Sequence, residues 1–272
     1  ISRSLVGSEM CIRDRHRATP QWFISMESHK LREKALKAID ETTFYPNKGK
    51  ERLRSMIETR PDWCVSRQRV WGVPLPIFIH KKTKEILIDS EVFDNIAKIY
   101  EQEGSDCWFS DNPQRFLGKK FKSEDFEKLS DIVEVWFDSG SPHSFVLEKR
   151  KDLRWPASMY LEGSDQHRGW FHSSLLESCG TRGRAPFESI LSHGFVVDGK
   201  GLKMSKSLGN VIAPEDILKK YGADILRIWV ASSNYAEDLR IDYSILDQHS
   251  ESYRKIRNTF RYLLGNLKDN FD

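Results

Sequence analysis

The sequence predicts an α/β protein built on a parallel, doubly wound sheet, and two observations support this fold. From Asp131 onward, apolar strand-like runs alternate with segments of helical periodicity. Polar, glycine-containing segments follow the carboxyl ends of those runs. Strands that alternate with helices form parallel sheets, because a parallel pair needs a long crossover that is usually helical. Ligands bind beyond the carboxyl ends of such strands.

The first 60 residues predict one strand and two helices after an irregular opening. Residues 1–15 have no periodicity in common with the segment after them, and we interpret them as a non-native or artefactual leader. The run 18–25 passes through a proline and predicts a short strand. Apolar residues at helical spacing predict helices over 30–39 and 48–59.

The next segment is of mixed character. The apolar runs 73–79 and 85–88 flank a lysine-rich turn and predict a β-hairpin, and 90–104 has helical periodicity. Strands are then predicted over 132–137, 158–163 and 189–197, with a helix over 169–178. Further helices are predicted over 214–221, 223–231 and 253–267. The last pattern stops in mid-helix, so we expect a fragment.

Composition favours a soluble globular protein with a mildly basic surface. The chain has 272 residues, 39% of them hydrophobic and 31% charged, with a formal net charge of +3. No apolar run reaches the length of a membrane span, and no signal-peptide pattern is visible. The four cysteines form no C-x-x-C pair, which favours a reduced cytoplasmic setting.

Residues 199–210, which we call the lysine loop, carry the strongest functional signal. The loop contains three lysines, two serines and three glycines directly after an apolar run. Lysines supply compact positive charge, hydroxyls add donors, and glycines let backbone N–H groups approach phosphate oxygens. A solvated basic turn is the alternative for such a composition. The pattern fits a loop that closes over a polyphosphate.

The end of the second predicted strand carries a second polar cluster. Glu162, Asp165 and Gln166 surround Gly163, and their side chains can hydrogen-bond ribose hydroxyls or an ammonium group. Acidic residues also cap helices, and Ser164 or Asp165 could serve that role. The two interpretations are compatible, because capped helix starts at strand ends are where such sites form.

Three other features are ambiguous. His167 and His172 are five residues apart and lack a cysteine or the H-E-x-x-H spacing, which disfavours a metal site. Trp71 could form an apolar wall for a substrate or belong to a core. The pair His193–Gly194 could read an adenine edge, or its glycine could permit tight packing.

These motifs together resemble the isoleucyl-tRNA synthetase family of class I aminoacyl-tRNA synthetases. Lys203–Ser207 spells KMSKS, the signature of that class, and Glu162–Trp170 favours the isoleucine enzymes over the valine and leucine ones. The resemblance covers nearly everything after Arg15. Its remaining segments are Arg17–Phe23, Arg60–Pro74, Val135–Ser141 and His193–Phe195.

The resemblance implies a fold and an activity. The fold would be the C-terminal half of a Rossmann-like class I synthetase catalytic domain, with an inserted α+β connective segment and a C-terminal helical segment. The activity would be ATP-dependent activation of L-isoleucine to isoleucyl-adenylate, with Mg²⁺, and transfer to tRNA(Ile). It also implies a cytoplasmic monomer without a membrane partner, and no protein metal site within this chain.

The resemblance also implies site residues. Lys203 and Lys206 would neutralise charge on the phosphates. The adenylate's ribose and amino group would be held by Glu162, Gly163, Asp165 and Gln166. Trp71 would line the isoleucine side-chain pocket, and His193 and Gly194 with Val196 would flank the adenine. The whole ATP-binding loop would comprise Lys203, Met204, Ser205, Lys206 and Ser207.

Several departures and alternatives remain open. The family's other ATP signature, HIGH, does not occur in this sequence, so we expect the chain alone to be inactive. A valyl-tRNA synthetase fragment is one alternative. An RNA-binding module without catalysis is another, supported by Arg254, Arg257 and Arg261 at helical spacing, which could equally be a solvated face.

The expected domains are implied by the same resemblance, except for the leader, which is inferred from the irregular opening of the chain. They are a leader over 1–15, the end of an editing insertion over 16–60, a connective segment over 61–130, the second half of the catalytic domain over 131–210, stem-contact helices over 211–245 and the start of an anticodon-binding domain over 246–272.

Overall fold

The computed structural model describes residues 19–267. The strands, in chain order, are β1 Phe23–Ile24, β2 Thr43–Tyr45, β3 Trp63–Cys64, β4 Ser66–Arg67, β5 Phe78–His80, β6 Phe126–Lys128, β7 Ile132–Val133, β8 Tyr160–Gly163, β9 Ser189–His193, β10 Val196–Asp198 and β11 Leu239–Ile241. The α-helices are α1 Leu31–Glu41, α2 Lys48–Glu58, α3 Ser90–Glu103, α4 Cys107–Ser110, α5 Pro113–Leu117, α6 Val135–Gly140, α7 Trp170–Arg182, α8 Pro214–Tyr221, α9 Ala223–Ser232 and α10 Tyr243–Leu267.

The chain divides into two compact units. Of the described residues, unit 1 contains 19–33 with Thr59–Ser141, and unit 2 contains Lys34–Glu58 with 142–267. The proposed leader over 1–15 lies outside the described residues. The other domain boundaries expected from the sequence stay predictions.

Unit 1 consists of short antiparallel strand pairs and the helices α3 to α6. Strand β1 pairs with β3, β4 with β7, and β5 with β6. The Asp89 side chain caps α3 by accepting hydrogen bonds from the amides of Glu91 and Val92. The core contains Phe78, Val92, Ile96, Ile99, Trp108, Phe116, Leu117 and Phe126.

Unit 2 contains the parallel sheet that the sequence predicts. Strand β9 lies between β2 and β8, and both neighbours run parallel to it. Helix α7 connects β8 with β9 and is buried from Phe171 to Cys179, polar residues such as Ser174 and Glu177 included. A second parallel pair, β10 with β11, precedes α10. The helices α8 to α10 surround a smaller core of Ile217, Ile225, Trp229, Ile241 and Leu246.

Four sequence-based assignments are wrong in detail. The last helix begins at Tyr243, ten residues before the predicted start at 253. Residues 135–140 form a helix instead of continuing the strand at 132–133. The predicted strand 189–197 is interrupted at Gly194, where the chain passes from β9 to β10. The expected hairpin partner of β5 makes only an isolated bridge, Ile79 to Ile86, because β5 pairs instead with β6.

Candidate functional site

The carboxyl ends of β8 and β9 bring six of the predicted site residues together, namely Glu162, Gly163, Asp165, Gln166, His193 and Gly194. Gly163 and His193 are direct partners in the parallel register, so both strands end at the same edge of the sheet. Glu162 is exposed there, and its Oε2 accepts a 2.9 Å hydrogen bond from the Gly163 amide. A Cβ on Gly163 would lie 2.8 Å from Oδ1 of Asp165, so the glycine lets that carboxylate approach the strand end.

The helical turn 164–168 links this strand end to α7. Oε1 of Gln166 accepts a hydrogen bond from the amide of Trp170 at 2.9 Å, and its Nε2 donates to Asp165 at 3.3 Å. Gln166 therefore caps the helix start, the role that the sequence analysis considered for Ser164 or Asp165. Asp165 stays exposed and can accept hydrogen bonds from a ligand.

His167 is buried in the same turn, where its ring contacts the backbone of the turn. Its Nδ1 lies 2.8 Å from the carbonyl oxygen of Ser164, and its Nε2 has no hydrogen-bond partner in the described part of the chain. The carbonyl contact places the proton on Nδ1. Burial lowers the pKa of His167, because the imidazolium form would lose its hydration. Across residues 19–267, no group of three or more His, Cys, Asp or Glu side chains could hold a metal ion.

His193 and Gly194 lie beside a crossing segment of backbone. The Gly194 amide donates to the Tyr235 carbonyl at 2.9 Å. A Cβ at Gly194 would lie 2.3 Å from the Glu237 carbonyl oxygen. His193 Nδ1 lies 2.7 Å from the Gly194 carbonyl oxygen. These contacts favour the tight-packing interpretation of this glycine and leave a flanking role toward adenine as a prediction.

The lysine loop follows β10, and its main chain is extensively hydrogen-bonded. Lys203 forms an isolated antiparallel bridge with Val197. Residues 206–208 form one helical turn, whose start is capped by Oγ of Ser205 through the Leu208 amide. Gly209 closes that turn in the left-handed conformation, with φ of 65°. Within residues 19–267, the ammonium groups of Lys203 and Lys206 have no hydrogen bond or ion pair.

Trp71 belongs to unit 1 and is exposed over 88% of its surface. It lines a cavity of about 510 Å³ together with Arg67, Arg69, Gly72, Ile132, Val133, Glu134, Val135 and Asp138. Among residues 19–267, this exposure excludes the plain-core interpretation of Trp71. Burial and the neighbouring Glu134 carboxylate raise the pKa of Asp138 in this cavity.

Asp198, the residue before the lysine loop, and Asn210, its last residue, have a structural role that sequence reasoning missed. Asp198 accepts hydrogen bonds from the backbone amides of Lys200 and Leu202, and Asn210 reaches across to the Asp198 carboxylate. The Asp-Gly pair at 198–199 is a turn signal that could have found the first of these contacts. The second joins residues twelve apart in sequence and has no local pattern.

The chain belongs to the family of class I tRNA synthetases (I, L, M and V), whose family model matches residues 4–242. It is 86% identical over 256 residues to the isoleucine–tRNA ligase of Pelagibacter ubique, a match that covers 94% of this chain and 28% of that protein. It is 57% identical over 257 residues to the isoleucine–tRNA ligase of Syntrophotalea carbinolica, covering 92% and 28%. The chain thus spans little more than a quarter of these relatives.

Solved structures agree on the fold. A methionyl-tRNA synthetase of Mycobacterium tuberculosis in complex with methionyl-adenylate matches with a TM-score of 0.60 and 18% identity, over 93% of this chain and 42% of that one. A LeuRS from Agrobacterium radiobacter in a ternary complex with tRNA and LeuAMS matches with a TM-score of 0.52 and 21% identity, over 76% and 29%. The predicted class I catalytic fold is confirmed.

Proposed function

We propose that this chain is the part of an isoleucine–tRNA ligase that supplies the second half of the nucleotide-binding fold. The reaction would be ATP-dependent activation of L-isoleucine and its transfer to tRNA(Ile). The observation that carries this proposal is the placement, within one unit, of a carboxylate-bearing strand end and a lysine loop with free ammonium groups. The identity to curated isoleucine–tRNA ligases supports the choice of amino acid.

The proposed chemistry needs positioning and charge rather than a side-chain nucleophile. The isoleucine carboxylate attacks the α-phosphate of ATP, the bond to the β-phosphate oxygen breaks, and pyrophosphate leaves with the electron pair. Lys203 and Lys206 stabilise the charge that builds on these oxygens, and ATP brings Mg²⁺ to the same phosphates. A terminal ribose hydroxyl of the tRNA then attacks the mixed anhydride, and AMP leaves.

The strand-end residues would hold the other half of the adenylate. Glu162 and Asp165 are exposed acceptors beside the buried Gly163, which suits hydrogen bonds from ribose hydroxyls and from the amino group of isoleucine. Gln166 uses its oxygen on the helix start and one N–H of Nε2 on Asp165, so the second N–H of Nε2 is the donor left for a ligand. Val196 is exposed directly after the strand interruption, and with His193 and Gly194 it would flank the adenine.

Trp71 is proposed to line the isoleucine side-chain pocket. Its exposed indole and the apolar part of the neighbouring cavity fit an aliphatic side chain.

No helix of the described residues has the length and apolar composition of a membrane span. We propose that the full protein acts as a monomer in the cytoplasm.

An RNA-binding role without catalysis is the second candidate. Arg254, Arg257 and Arg261 are exposed on α10, at a spacing that places them along one side of the helix. This surface is compatible with RNA contact in the ligase as well. The lysine loop distinguishes the candidates, since RNA binding alone does not require a structured KMSKS segment.

The test is amino-acid-dependent exchange of pyrophosphate into ATP. This chain would replace the matching segment of the Pelagibacter relative, and exchange would be measured with isoleucine and with valine. We expect kcat/KM for isoleucine to exceed that for valine by about 10- to 200-fold, the range for one methylene in an apolar pocket. Equal or greater exchange with valine would support the valyl alternative, and no exchange in a folded chimera would support the RNA-binding one.

A further inference from the structure

The lysine loop is closed by a side-chain contact between the residue that precedes it, Asp198, and its last residue, Asn210. Oδ2 of Asp198, at the end of β10, accepts a hydrogen bond from Nδ2 of Asn210 at 2.9 Å. Between these residues the chain makes a turn, an isolated bridge and one helical turn. The contact therefore joins the two ends of the segment that presents Lys203 and Lys206.

Each of the two side chains also accepts hydrogen bonds from backbone amides within the loop. Oδ1 of Asp198 accepts from the amides of Lys200 at 3.0 Å and Leu202 at 2.8 Å. Oδ1 of Asn210 accepts from the amide of Ser205 at 2.9 Å, while its Nδ2 also lies 3.3 Å from the Lys203 carbonyl oxygen. The donation from Asn210 is the first cause that lowers the pKa of Asp198, followed by the Leu202 amide. The carboxylate is thus held ionised.

We propose that Asp198 and Asn210 are positioning residues that fold the lysine loop before any nucleotide binds. The ammonium groups of Lys203 and Lys206 stay free in the described structure, while the backbone that carries them is fixed. Ordering the loop in advance removes an entropic cost that the nucleotide would otherwise bear. The consequence for activity rests on the proposed function, whereas the loop structure does not.

A reciprocal exchange of the two side chains tests this contact. In Asn210→Asp two carboxylates face each other. In Asp198→Asn the single amide oxygen can accept either from the backbone amides of Lys200 and Leu202 or from Asn210, so one of the two sets of hydrogen bonds is lost. In the double variant the amide at position 198 donates to the carboxylate at position 210, and both still accept their backbone amides. Only the longer donation from position 210 to the Lys203 carbonyl is lost, as it also is in Asn210→Asp. Asn266→Asp is the matched control, because Asn266 donates one hydrogen bond to the Tyr262 carbonyl on α10, outside the loop.

The primary measurement is hydrogen–deuterium exchange of the Leu202 and Ser205 amides in the 272-residue chain. We expect exchange to be about tenfold faster in each single variant, because a charge-assisted hydrogen bond is lost, and to return most of the way to the wild-type rate in the double variant. The control should keep the wild-type rate. Unchanged rates in the single variants, or a double variant no slower than either, would overturn the proposal.

Two further readings keep the outcome decisive. If a single variant unfolds, the thermal midpoint of the double variant must lie above that of both single variants, and a midpoint no higher overturns the contact. In the chimeric ligase, the single variants should lower kcat of pyrophosphate exchange about tenfold or more with less change in KM, and the double variant should restore it. The double variant could restore the slow hydrogen–deuterium exchange while the wild-type chimera shows no pyrophosphate exchange. That result would refute the proposed function and leave the loop contact standing.

Discussion

At the scale of single residues, Lys206 combines a fixed backbone with a free charge. It begins the helical turn 206–208, whose start is capped by Ser205, and its side chain is exposed. In the described residues its ammonium group has no ion pair that would have to break before it could contact the phosphate assigned to it by the proposed function. Such a preorganised cation stabilises charge that develops in a transition state more than charge already present in the ground state.

The first prediction concerns Lys206→Ala in the chimeric ligase. The rate of isoleucine-dependent pyrophosphate exchange should fall by about 10²- to 10³-fold, the cost of removing one group that stabilises developing charge. The affinity for tRNA, measured by filter binding, should change little. Lys98→Ala on α3 is the matched control and should leave both values unchanged, because Lys98 is an exposed helix lysine outside every segment proposed to bind ATP or tRNA. A loss of tRNA affinity equal to the loss of rate would contradict the proposed role.

The second prediction concerns His167 and pH. The folded chain resists protonation of His167, whose pKa burial lowers, whereas the unfolded chain takes up a proton near the ordinary pKa of about 6.5. The unfolded state therefore binds more protons below that pH, and stability is lost as pH falls from 7 to 5. The thermal midpoint of His167→Gln should fall less over this interval than that of the wild type.

Its control is His29→Gln, which changes an exposed histidine in unit 1. That variant should keep the wild-type dependence of the thermal midpoint on pH. If His167→Gln also keeps it, the buried imidazole does not contribute to acid destabilisation.

At the scale of elements, local periodicity identified helices well and strand partners poorly. The helices predicted over 30–39, 48–59 and 90–104 agree with α1, α2 and α3 to within two residues at each end. Helical periodicity is a property of one contiguous segment, so it can be recognised without knowing what the segment packs against. The partner of β5 is β6, which lies more than forty residues further along the chain and has no local signal.

The other errors have equally specific causes. Val135–Gly140 continues an apolar run, and a short apolar run does not distinguish strand from helix. Strand β2 has only three residues between two helices, so no alternation could be recognised. At the site, the clustering of polar residues at the ends of β8 and β9 was predictable, because these residues directly follow apolar strand-like runs in the sequence. The contact between Asp198 and Asn210 was not, since it depends on how the loop closes.

The third prediction compares two glycines in different elements of unit 2. Gly194→Ala should destabilise the chain by about 1–3 kcal/mol or more, because its Cβ would lie 2.3 Å from the Glu237 carbonyl oxygen, which is backbone. Gly265→Ala, within α10, has no atom within 4 Å of its Cβ. This variant should gain about 0.5–1 kcal/mol from helix propensity.

The measurement is the thermal midpoint of the two variants and the wild type under one set of conditions. We expect a lower midpoint for Gly194→Ala and a slightly higher one for Gly265→Ala. A Gly194→Ala chain as stable as the wild type would mean that the segment around Glu237 does not pack against the start of β10.

At the scale of the whole molecule, the proposed function joins features that lie far apart in sequence. The strand end at 162–166 and the lysine loop at 199–210 belong to unit 2, where the parallel sheet and the pair of β10 with β11 position them. The identity to isoleucine–tRNA ligases covers nearly the whole chain. The central claim is that both features act on one bound nucleotide.

The most direct measurement is a crystal structure of the chimeric ligase with ATP and isoleucinol, an alcohol that lacks the attacking carboxylate. We expect the Glu162 carboxylate within hydrogen-bond distance of the isoleucinol amino group or the ribose, and Nζ of Lys206 at the phosphates of the same ATP. A structure in which Glu162 and Lys206 lie on opposite sides of the molecule, with no common cavity, would contradict the account.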